Sequence, residues 1–238
     1  MIILFVSALS IMSSCTMKQN VFVDKNGAGN VNFEIKLAPY FTEVASQLSD
    51  LVPSENQKKI EEGKFFDLEK IRDDFSKRSG VTLTDLESES PESLTGTFTF
   101  SNINDAVTDA GKTSNPGIFT FETKNGISTL SVSVNYDTLE QLFTENPSLN
   151  NPLMENFGPL ANKDLSEEDY LDMMEYMLGE ESRQGIIDSV VDITVKVGGK
   201  VVSQQGGEKL NADTVRFRIP LIKILVLKDP LNYEVKFK

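Results

Sequence analysis

The chain has 238 residues, of which 36 are acidic and 23 basic; its net charge is −13, and it holds one cysteine and no histidine. Such acidity repels nucleic acid, whose phosphates need clustered Lys and Arg, so no nucleic-acid partner is expected. The missing histidine removes His general acid–base catalysis, Ser-His and Cys-His nucleophiles and His-ligated metals, and a lone thiol gives no intrachain disulfide or Cys-pair metal motif. Carboxylate pairs, Ser-Lys dyads and oxygen-ligand metal sites stay open.

Ile2 to Met12 reads IILFVSALSIM, apolar apart from Ser7 and Ser10. A bilayer span takes about 20 such residues, so this run suits the apolar region of a secretory signal peptide instead. Ser13, Ser14 and Cys15 follow, and the stretch resembles the lipobox of bacterial lipoproteins. Met12 departs from the aliphatic residue preferred there, and no basic residue precedes the apolar run. The resemblance implies that the signal, residues 1–14, is cut off and that the Cys15 thiol carries diacylglycerol. Residues 15–20 would then be a lipidated, polar tether and 21–238 the folded domain.

Val21 to Leu37 places Val31, Phe33, Ile35 and Leu37 at period two around Gly27 and Gly29, which predicts a β-hairpin. Pro39 leads a predicted helix with the stripe Phe41, Val44, Ala45, Leu48, Leu51 and Val52, and 53–63 is a charged connection. A second helix starts after Asp67 as N-cap, carries Leu68, Ile71 and Phe75, and stops at Gly80. Strands are expected over Val81–Leu86 and Leu94–Phe100, then a short helix over Asn102–Ala110. Asn125-Gly126 is the preferred pair of a two-residue type I′ turn, which sets Phe121 opposite Leu130 and Phe119 opposite Val132. Asp137 with Glu140 opens a helix bearing Leu139, Leu142 and Phe143. After an irregular, proline-containing stretch over 146–164, Ser166 and Asp169 form a capping box for a helix running to Gly179, with Leu165 and Tyr170 as its staple. A hairpin at Gly198-Gly199 and strands over Thr214–Arg218 and Tyr233–Phe237 complete an α+β fold. It is expected to be a mainly antiparallel sheet with four or five helices packed on one side.

The stretch DKNGAGNVNFE (Asp24 to Glu34) has the Asp, Asn and Gly of a calcium loop, but Ile35 stands where the bidentate Glu belongs, so a hairpin explains it better. The carboxylates of Ser166–Glu181 read as a solvated face, with Glu167, Glu168 and Asp169 favouring the helix dipole and Glu180 and Glu181 at the wrong end for it. Met173, Met174 and Met177, with Phe143, are the candidate lining of a hydrophobic ligand site, against the plainer reading of a core stripe. IPLIKILVLKDP (Ile219 to Pro230) reads as a buried element, or else as a face toward a membrane or subunit. No Gly-x-Ser-x-Gly, P-loop, dinucleotide or Ser-x-x-Lys motif occurs, so no catalytic residue, metal ligand or cofactor is assigned.

The order of features is similar to LppM-type bacterial lipoproteins: a lipobox cysteine, the Gly-rich turn DKNGAGNVNFEI, a Pro-led helix, SGVTL, GTFTFSN and finally RIPLIKILVLKDPLNYEVKF. The resemblance spans most of 21–238. It implies an α+β domain facing the cell envelope, non-enzymatic and able to hold lipid or glycolipid, and it carries no site motif onto particular residues. The expected function is thus that of a membrane-anchored envelope lipoprotein, on the periplasmic face or the cell surface, that binds a hydrophobic or lipid-like ligand. The alternative is a scaffold or surface-displayed lipoprotein that meets other envelope proteins and has no pocket. The first needs an apolar cavity of roughly 300 Å³ or more, the second an exposed apolar patch of several hundred Å².

Overall fold

The computed structural model describes residues 15–38, 65–106, 117–145 and 152–238. The leader over 1–14, the Pro39 helix, the connection over 53–63 and the last part of the Asn102–Ala110 helix lie outside the described residues, as does 146–151. In chain order the elements are β1 (Thr16–Val23), β2 (Gly29–Lys36), α1 (Leu68–Ser76), β3 (Val81–Glu87), β4 (Ser93–Phe100), α2 (Ile103–Ala106), β5 (Phe119–Lys124), β6 (Ile127–Val134) and α3 (Tyr136–Glu145). The second half continues with α4 (Pro152–Phe157), α5 (Glu167–Leu178), α6 (Glu180–Asp188), β7 (Val190–Val197), β8 (Val201–Gln205), β9 (Glu208–Lys209), β10 (Thr214–Pro220), α7 (Leu221–Val226) and β11 (Leu231–Phe237).

The strands form two sheets, ordered β3-β4-β2-β1-β7-β10-β9 and β5-β6-β11-β8. Pairing is antiparallel except between β1 and β7, which run parallel with Thr16 beside Val190 and Val23 beside Val197. Along β1, β7 and β10 the even-numbered Lys18, Asp192, Arg216 and Arg218 share one face and the odd-numbered Val21, Val195 and Val215 the other. On that charged face Asp192 is buried beneath its ion pair with the half-exposed Arg216, while the apolar faces of the two sheets turn toward each other and share one core. The mixed α+β class and the mostly antiparallel pairing agree with the expectation. The single sheet covered by helices on one side does not: the cover of each sheet is the other sheet, because both alternate apolar and polar residues.

Local chemistry explains the turns. Asn125 and Gly126 adopt φ of 53° and 75°, as a type I′ turn requires, and Phe121 pairs with Leu130 and Phe119 with Val132 in the anticipated register. Between β1 and β2, the Asp24 carboxylate accepts from the Asn26 and Ala28 amides at 2.7 and 3.0 Å, so it serves the turn. Gly198-Gly199 corrects the sequence reading. The two residues do not close a hairpin, since β7 lies in the larger sheet and β8 in the smaller one. They form a corner between sheets, where a Cβ on Gly199 would stand 2.3 Å from the Lys238 carbonyl oxygen.

The Ser166–Asp169 capping box is formed as predicted, and Asp67 caps α1, although α1 ends at Ser76 rather than near Gly80. For α3 the cap is Asn135, not Asp137: its side chain accepts from the Thr138 amide at 2.9 Å, and the Asn135 amide donates to the Thr138 hydroxyl at 3.0 Å. Glu180 and Glu181 are corrected too. They occupy the first turn of α6, which begins directly after Gly179, and there they complement the helix dipole. A second core, outside the sandwich, joins Tyr170, Leu171, Ile186, Ile222 and Val226 from α5, α6 and α7. The apolar run after Ile219 is therefore a buried element, with Ile222, Val226 and Leu227 all under cover.

Candidate functional site

Between the two sheets lies a cavity of about 260 Å³. Its walls are built by alternation. The larger sheet contributes Val21, Val31, Phe98, Ile193, Val195 and Phe217, and the smaller contributes Phe119, Leu130, Val132, Tyr233 and Val235. Val23, Val197, Val215 and Phe237 are sealed at the end where Gly198-Gly199 turns the corner; at the Cys15 end Met17, Gln19, Val132 and Val134 are half-buried, beside buried Leu94, Ser189 and Ile219. The cavity occupies the stretch between. Aromatic rings stiffen its sides: Phe98 lies 6.3 Å from Phe33 and 5.2 Å from Phe75, and Tyr233 meets Phe217 edge-on at 5.5 Å.

Two uncharged polar side chains share this wall, Gln19 and Tyr233. Burial among apolar neighbours pushes the Tyr233 hydroxyl above its ordinary pKa and keeps it protonated. Glu234 is the charged residue of the lining, and its carboxylate pairs with the Lys236 ammonium at 3.1 Å. Among the described residues no group of three or more acidic, Cys or His side chains is arranged to hold a metal ion.

Cys15 stands at the half-buried end of the sandwich. Its amide donates to the Ser189 hydroxyl at 2.9 Å, its carbonyl accepts from the Val190 amide at 3.2 Å, and its sulfur accepts from the Ala38 amide at 3.3 Å. The tether expected over 15–20 is instead the first part of β1, drawn into the sheet by pairing with β2 and β7. The other anticipated ligand residues stand away from the cavity. Phe143 is buried on α3, Met173 and Met174 pack against the helical core, and Met177 on α5 is 42% exposed. None of these four belongs to the wall of the inter-sheet cavity. Helical spacing had singled out the methionines, whereas the cavity comes from strand alternation on β1, β7, β10 and β11, the signal that reaches its lining.

The carboxylates of α5 lie on an exposed face, as expected, and several of them form ion pairs there. The Arg183 guanidinium of α6 gathers Glu168, Asp172 at 2.6 Å and Glu175 at 3.3 Å, and Lys223 of α7 holds Glu167 at 2.6 Å. These pairs tie the three helices together. No described helix is long and apolar enough to cross a membrane.

No family model matches the chain, and no curated protein matches it. Among solved structures it is similar to the folded domain of LppM from Mycobacterium tuberculosis, determined by NMR, with 11% identity over 94% of this chain and 89% of that one and a TM-score of 0.39.

Proposed function

We propose that the protein is a non-enzymatic lipoprotein of a bacterial envelope, anchored through acylated Cys15, whose inter-sheet cavity holds the apolar part of a lipid-like ligand. The observation that carries this reading is the cavity itself, about 260 Å³ with an almost wholly apolar wall drawn from both sheets. A dry apolar cavity of about 150 Å³ already accepts benzene, so there is room for a slim hydrocarbon chain. Each methylene moved from water into it contributes about 0.8 kcal/mol. Cys15 stands at the half-buried end of the same sandwich, so an acyl anchor there would hold that end toward the membrane from which a lipid comes. The reading calls for no cofactor and no catalytic residue.

Native mass spectrometry with lipid extraction tests it on full chain isolated from its own envelope. Beyond the anchor mass, one further lipid per chain is expected, and the cavity-filling Leu130→Trp should lose it while keeping the anchor. Absence of that lipid, or equal uptake by Leu130→Trp, would refute the ligand claim. A stoichiometric protein in its place would favour a scaffold. The anchor has its own test: Cys15→Ser should abolish processing and membrane fractionation, and unchanged behaviour would refute acylation.

A further inference from the structure

At one end the inter-sheet cavity stops against a closely built wall. Val23 on β1 pairs with Gly29 on β2 and with Val197 on β7, and Gly29 pairs with Phe100 on β4, so these four residues form one level across the larger sheet. Of the four, only Phe100 lines the cavity, and Ile103 of α2 lines it with Phe100. Both side chains are almost fully buried. The Ile103 amide donates to the Gly27 carbonyl at 2.7 Å, which ties α2 to the turn between β1 and β2. Gly27 is itself buried with φ of 85°, and a Cβ there would stand 2.8 Å from the Phe121 ring of the smaller sheet. Phe121 lies 6.4 Å, ring centre to ring centre, from Phe237, which has no exposed surface.

Packing of this kind gives way little, because neighbours from two sheets, a helix and a turn hold each other in place. A hydrocarbon chain that reaches Phe100 and Ile103 therefore meets a fixed stop. The space in front of that stop is also bounded in amount. A dry cavity of about 150 Å³ holds the six carbons of benzene, so about 260 Å³ holds about ten carbons by the same ratio. Each methylene inside strengthens binding about fourfold, and each one left outside adds nothing.

Resting on the proposed cavity function, we propose that the protein selects its ligand by the length of the apolar group. A chain of about ten carbons fills the space, and Phe100 and Ile103 are the residues that set this limit. The ligand class is thus a medium-length hydrocarbon chain, and a longer chain binds no tighter because its surplus stays outside.

Displacement of bound 1-naphthylamine by straight-chain alcohols of six to twelve carbons tests this on the full chain. Affinity is expected to rise about fourfold per methylene up to about ten carbons and then to level off. Phe100→Ala removes the ring at the stop, and its affinities should go on rising to twelve carbons. Ile103→Ala opens less room, should move the break by one or two carbons, and covers the case of a misfolded Phe100→Ala. Affinity that climbs steadily to twelve carbons in the unaltered chain, or a break that stays in place in every folded variant, overturns the length assignment while the cavity reading stands. If no alcohol displaces the dye, the cavity reading falls and this inference falls with it.

Discussion

The two cores of the molecule are held in different ways. The helical one is small and closed by polar detail: the Asn162 side-chain amide donates to the Phe157 and Leu225 carbonyls at 3.0 and 2.9 Å, the Tyr170 hydroxyl also reaches Phe157, and Arg183 clamps α5 to α6. The sandwich core is larger and almost purely apolar, sealed at one end and hollow toward the other. Hydrogen bonds fix distances in the helical core, whereas the hollow lies within the core that rests on apolar contact between two sheets.

The largest effect is expected where the sandwich is sealed. Phe237→Ala removes a ring with no exposed surface and should lower unfolding free energy by about 4 kcal/mol, measured by chemical denaturation. Next comes the helical core: Asn162→Leu removes the bonds to the Phe157 and Leu225 carbonyls, of which Phe157 keeps the Tyr170 hydroxyl, and should lose about 2 kcal/mol. A loss below about 1 kcal/mol would mean that polar stitching does not distinguish the cores.

The charged outer face should matter less. The Arg216 guanidinium holds the Asp192 carboxyl below its ordinary pKa, so the folded state keeps that group ionised at a pH where the unfolded chain takes up a proton. Its stabilisation is present above the ordinary carboxylate range and is lost as pH falls through it. Arg216→Ala should flatten that acid-side slope in pH-dependent denaturation. At neutral pH it should lose about 1–2 kcal/mol, because it leaves the buried Asp192 carboxylate only Arg218, at 3.8 Å, as a counter-charge. Smallest of all is Val195→Leu, which adds a methylene inside the hollow and should stay within about 0.5 kcal/mol, where overpacking of a filled core would lose about 1–3 kcal/mol.

Short-range chemistry was readable from the chain. Asn125-Gly126 specified its turn and register, and Ser166 with Asp169 specified the start of α5, since each signal lies within a few residues of what it determines. Pairings set by distant partners were not readable. Alternation on β7 says which face is apolar, yet nothing local says that β1, more than 170 residues earlier, is its neighbour or that a second sheet is its cover. The stretch TMKQN read as a polar tether because Gln19 interrupts the apolar alternation of Met17, Val21 and Val23. The residue that hid the strand is one that lines the cavity, and a polar side chain on an inner face breaks the pattern by which a strand is read.

The placement of β1 also bears on how the molecule responds to force. It lies in the interior of the seven-stranded sheet, with all eight of its residues in register with β2 on one side and with β7 on the other. A pull on Cys15 along the strand axis therefore loads both ladders in shear, and their hydrogen bonds must give way together instead of unzipping one by one. A domain held by that residue would be fastened directly at a strand paired along its whole length on both sides, with no slack between the point of attachment and the fold.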